Sequence, residues 1–168
     1  MFQKVFLTVA LVGMILAVAG QASAQSIAVS SGVFNYDLSG TGNTASIAVS
    51  ADWGIIGNWL VEGGLTYARP SQQFGERTNF FLPEAQVQHQ FPIGRFAPFV
   101  GGGLGAAIDV RDELFGGTRK DLALSAGGGV RVTLTETVGA RADFRLRGIG
   151  SDFSGSVAEL RGGIYWRF

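Results

Sequence analysis

The chain has 168 residues, with 13 basic and 13 acidic side chains, one histidine and no cysteine. That balance excludes the basic footprint of a nucleic-acid binder, and the missing cysteines exclude a disulfide scaffold or a thiolate metal centre. The 26 glycines and 13 phenylalanines follow no Gly-X-Y period, which excludes collagen and suits a β protein with tight turns and close backbones.

The first segment reads as a leader rather than as fold. Lys4 supplies a short positive start, residues 5–19 are apolar, and Ala22-Ser23-Ala24 offers small residues for cleavage. The apolar run falls short of the roughly 20 residues that a spanning helix needs. Residues 1–24 are therefore expected to be a cleaved signal peptide, and residues 25–168 a single exported domain beginning at Gln25.

From there to the end the chain alternates apolar and polar residues in eight runs separated by turn residues: 28–36, 44–56, 59–69, 79–91, 96–110, 120–133, 138–147 and 156–168. The connections alternate in length. DLSGTGN, PSQQFGERT, RDELFGGTR and GIGSDFSG are long, whereas Gly57-Asn58, PIGR and LTET are short. In an up-and-down meander every second connection lies at the same end, so one end carries the long loops and the other the tight turns. This predicts an all-β, eight-stranded antiparallel transmembrane barrel with short periplasmic turns and longer outer loops.

Alternate side chains of a strand point to opposite faces. In the last run Ala158, Leu160, Gly162, Ile164, Trp166 and Phe168 oppose Glu159, Arg161, Tyr165 and Arg167. In the seventh, Ala140, Ala142, Phe144 and Leu146 oppose Arg141, Asp143 and Arg145. The polar register holds Asp52, Glu62, Glu84, Asp143 and Glu159 against Arg131, Arg141, Arg145, Arg161 and Arg167. A solvated surface needs no such balance, but an enclosed lumen does, because a buried unpaired charge is costly. The polar face is thus expected inside, as an ion-pair network plugging the barrel, with Asp109 and Arg147 at its rim. Trp53, Trp59, Phe91, Phe96, Trp166 and Phe168 fall near the short turns and are expected to form an aromatic girdle. Gly101, Gly103, Gly105, Gly127 and Gly129 fall in the inward register, where they would make room for arginines from neighbouring strands.

Three other patterns suggest chemistry. Gly101-x-Gly103-x-x-Ala106 mimics a dinucleotide fingerprint, but Ala107 to Arg111 read as more strand, not as the helix the motif requires. His89 is the single histidine and sits near a short turn with no serine beside it, so a lipid-modifying active site is the weaker reading. Asp109, Asp112, Glu113 and Asp121 cluster near a long loop, but Arg111, Arg119 and Lys120 lie among them and calcium-loop spacing is missing. No catalytic residue, metal or cofactor is expected.

The segments FAPFVGGGLGAA (96–107), LALSAGGGVRVTLTETVGARADFRLR (122–147) and GGIYWRF (162–168) carry a resemblance to the small eight-stranded outer-membrane barrels, of the OmpX type and the OmpA membrane domain. The shared pattern is a glycine-rich strand, a short turn like Thr135-Glu136-Thr137-Val138, and an Arg-rich alternating strand. The resemblance implies outer-membrane residence and assigns Ile164, Trp166 and Phe168 to recognition by the barrel-assembly machinery. The expected function is structural, in envelope integrity, for a monomer among outer-membrane lipid and lipopolysaccharide. The alternatives are a narrow gated channel, a lipid-modifying enzyme and a soluble secreted barrel with an apolar ligand.

Overall fold

The computed structural model describes residues 25–37, 42–69, 78–111, 118–150 and 155–168. The expected leader, residues 1–24, lies outside them. Eight strands succeed one another: β1 Ser26–Asp37, β2 Gly42–Ile56, β3 Trp59–Ala68, β4 Thr78–Gln90, β5 Phe96–Arg111, β6 Thr118–Thr133, β7 Val138–Ile149 and β8 Gly155–Arg167. Each pairs antiparallel with the next, and β1 returns to β8, giving one closed barrel. The closing seam runs from Ser26 opposite Arg167 to Asn35 opposite Ala158. Closure leaves no strand edge, so every strand has a ladder partner on both sides, as the hydrocarbon of a bilayer demands.

The alternation resolves as inside and outside. Leu104 and Leu160 are each 61 % exposed on the outer wall, whereas Gln88 and Glu159 are fully buried within. Val29, Ile47, Val87, Val100, Leu124, Phe144 and Ile164 complete an apolar outer belt.

Several strands extend past their predicted ends because the alternation continues into paired positions. Ser26 and Ile27 still face Arg167 and Trp166, and β7 runs on to Ile149.

Two prolines interrupt the seam between β4 and β5. The Phe91 amide donates to the Pro98 carbonyl at 2.8 Å, so position 98 faces β4. Proline has no N–H to return that bond. Ladder pairing also lapses at Leu82 and Pro83, then resumes in the same register at Glu84 opposite Gly105.

Candidate functional site in the barrel lumen

The inward register is stacked in layers. At the long-loop end Phe34, Ala68, Leu82, Ala107, Ala123 and Val157 form a buried apolar cluster, with Phe80 and Ile149 against it. Alternation in the sequence does not predict this layer. Below it come the charges, and below those Phe99 and Tyr165, buried near the short-turn end. The Tyr165 ring lies where a Cβ on Gly139 would stand, so only glycine admits it there.

The charged layer joins opposite walls. Asp52 on β2, Glu62 on β3 and Glu84 on β4 make an acidic wall, and Arg131, Arg141, Arg145, Arg147 and Arg161 on β6 to β8 face it. Asp52 sits directly opposite Glu62, and Arg131 directly opposite Arg141. Each like-charged pair alone would loosen its ladder. The strain is relieved across the lumen, where Arg131 binds Asp52 and Arg141 binds Glu62.

Glu62 is the hub. Its carboxylate accepts from Arg141 and Arg145, with Arg131 at 3.5 Å and Arg161 at 3.7 Å. Glu84 takes Arg145 at 2.6 Å and Arg147 at 2.7 Å. Asp143 receives the Nε groups of Arg161, Arg141 and Arg145 at 2.8, 3.0 and 3.1 Å. Glu159 binds Arg147 at 2.9 Å and accepts from the Ser46 hydroxyl at 2.7 Å. The Ser26 hydroxyl donates to Asp52 at 2.8 Å. Arg131 and Arg141 also lie over the Phe99 ring, at 5.5 and 5.3 Å from its centre.

Two expected positions are corrected. Arg167 stands outside the network, exposed at the mouth. It donates to Thr133 Oγ1 at 3.0 Å and Tyr165 Oη at 3.1 Å and lies over the Tyr165 ring, because the register carries it past the last buried layer. Arg147, expected at the rim, is fully buried between Glu84 and Glu159. The exchange keeps the buried charges balanced, five acids against five arginines.

The glycine stripe of β5 also has a different occupant from the one expected. Gln86 and Gln88 of β4, rather than arginines, cover Gly103 and Gly101. They reach across the bare strand to β6, where the Gln86 amide donates to Ser125 Oγ at 3.0 Å and Gln88 Oε1 accepts from Arg131 at 3.3 Å. A Cβ at Gly103 would run into the Ala85 carbonyl. On β6, Gly127 is packed by Arg145, as expected, and Gly129 by Asp143.

The remaining candidates are dispersed. Trp59, Phe91, Phe96, Trp166 and Phe168 are exposed near the short turns, and Trp53 lies over Gly63 on the outer wall. Ile164 is exposed on the same strand as Trp166. His89 is wedged on the outer wall between Trp59 and Phe91, each ring 4.7 Å away and edge-on. The Gly101 to Ala106 motif lies wholly inside β5, so no helix N-terminus succeeds it. Asp121 binds Arg119 at 2.7 Å, whereas Asp112 and Glu113 lie outside the described residues.

No curated relative matches the sequence. A solved structure of Neisserial surface protein A superposes with a TM-score of 0.75 at 17% identity, covering 85% of this chain and 96% of that one. Ail of Yersinia pestis, solved with a heparin analogue, gives 0.60 at 16% identity, with coverages of 85% and 95%. The N-terminal barrel of Pseudomonas aeruginosa OprF gives 0.59 at 16% identity, with coverages of 86% and 98%. At these identities the likeness shows the fold. The family model for the outer membrane protein beta-barrel domain matches residues 6–168. The chain therefore belongs to that family and is a β-barrel of the Gram-negative outer membrane.

Proposed function

We propose that the protein is a structural component of the outer membrane, a monomeric, plugged barrel that contributes to envelope integrity. One observation carries the reading: ten mutually paired charges fill the lumen between an apolar layer and an aromatic floor. An eight-stranded barrel is just wide enough for side chains to fill it. Here they fill it with contacts that tie opposite walls together. Lipid and lipopolysaccharide are the surroundings of such a protein. Ile164, Trp166 and Phe168 are its signal to the assembly machinery.

The barrel also serves an outer membrane enzyme, PagL, at a TM-score of 0.53 and 15% identity. For this chain we propose no enzymatic chemistry. Its single histidine is clasped by the Trp59 and Phe91 rings near the short turns.

The test is conductance of the mature chain, refolded from Gln25 into a planar bilayer. Insertion with electrical silence is expected. Steady current steps that vanish in Glu84→Gln would overturn the plug and establish the narrow gated channel instead.

A further inference from the structure

The two ends of the barrel differ in what they expose. At the long-loop end the exposed described residues include Asn43, Arg69, Arg119 and Lys120. At the short-turn end each turn carries an exposed aliphatic side chain beside its polar apex. Ile56 is 74 % exposed at the strand end before the first turn, Ile93 68 % in the second turn and Leu134 59 % in the third. Phe168 joins them at 84 %. A single exposed aliphatic side chain needs no explanation. Four from separate segments at one end do, because together they make a patch around the turns.

These residues are also continuous with the lipid-facing belt. Ile55 and Trp59 flank Ile56, Phe91 and Phe96 flank Ile93, and Trp166 precedes Phe168, all of them exposed. No polar ring separates wall from tips among the described residues. Two cations stand at the same end, exposed Arg95 and exposed Arg167, with Glu136 and Asn58 at the turn apices.

We propose that the short-turn end is submerged in the inner leaflet of the outer membrane. Ile56, Ile93, Leu134 and Phe168 lie among phospholipid acyl chains, and Arg95 reaches up to the phosphates, while Arg167 stays bound at the barrel mouth. Continuity with the established lipid interface selects acyl chains as the occupant over a protein partner. A long cationic side chain such as Arg95 can keep its head at phosphate level while its stem stays in the apolar layer. The aromatic girdle then sits inside the leaflet rather than marking its boundary. This inference does not depend on whether the lumen conducts.

The chain has no cysteine, so single labels are unambiguous. A bimane fluorophore is attached to the mature protein at Ile56→Cys, Ile93→Cys and Leu134→Cys in turn, in phosphatidylcholine vesicles. Leu104→Cys on the outer wall and Arg119→Cys at the long-loop rim serve as references. Quenching by lipids brominated on the acyl chain is compared with quenching by iodide present on both sides of the bilayer. The expected result is that at least two of the three tip labels behave like Leu104→Cys, with strong lipid quenching and loss of iodide quenching. Two or more tips quenched by iodide like Arg119→Cys would place the turns in water and overturn the proposal. Protection from both quenchers would mean that a second copy covers the tips, and would overturn it equally.

Discussion

At Glu62, guanidinium groups from β6, β7 and β8 converge on one carboxylate. Removing one partner of a buried ion pair leaves the others uncompensated, so Glu62→Gln is expected to destabilise the barrel by about 3–5 kcal/mol. Arg167→Ala removes an exposed side chain held by two hydroxyls and a ring, and is expected to cost about 1 kcal/mol or less. Urea unfolding of both variants in lipid vesicles measures the contrast. Equal losses would mean that burial does not set the scale. These two residues also show what alternation can and cannot tell. Parity places a side chain inside or outside, and it does so for Asp52, Glu84, Arg131, Arg141 and Arg145. Depth along the barrel depends on stagger between strands, which parity does not contain. Arg147 and Arg167 therefore trade places between rim and network. At the opposite wall, Leu104 faces lipid about midway along β5. Leu104→Arg is expected to cost about 2–4 kcal/mol in the same assay, and a neutral result would mean that this wall does not face hydrocarbon.

Among the elements, β4 and β5 make the unusual pair. Their ladder lacks the bonds that the nitrogens of Pro83 and Pro98 would have donated. Their lumen side is bare along Gly101, Gly103 and Gly105, with the glutamines of β4 laid across it. The paired amides of this seam are expected to exchange with solvent deuterium faster than those between β6 and β7. In the Pro83→Ala/Pro98→Ala variant the difference should shrink. Equal protection of the two seams in the unaltered protein would show that packing alone holds β4 to β5. Both prolines stand plainly in the sequence, yet nothing there says that their missing donors point into the same seam. Strand position is legible because each run alternates up to a glycine, proline or polar cluster. The apolar layer is not, because Phe34, Leu82 and Val157 place apolar side chains in the inward register, where alternation predicts polar ones.

For the whole molecule, the layers act as seals in series. Opening the floor with Phe99→Ala/Tyr165→Ala leaves Phe34 and Leu82 in place, and bilayer recordings should remain silent. Adding Phe34→Ser and Leu82→Ser still leaves the paired charges across the lumen, so current is expected only when Glu62→Gln and Glu84→Gln are added as well. Current from the floor variant alone would mean that neither the charged layer nor the outer layer is a barrier.

Closure of β1 on β8 has a consequence for how the chain becomes a barrel. Ser26 pairs with Arg167, so two of the residues furthest apart along the strands must meet before the wall is complete. The network obeys the same constraint, since Asp52 waits for Arg131 and Glu62 for Arg141 and Arg145. A partial sheet would carry its acidic strands into the bilayer with their counter-charges not yet delivered. Non-local contacts of this kind slow folding, because loop-closure entropy is spent before any contact is gained. Insertion should therefore proceed without a populated half-barrel, with the two terminal strands meeting last.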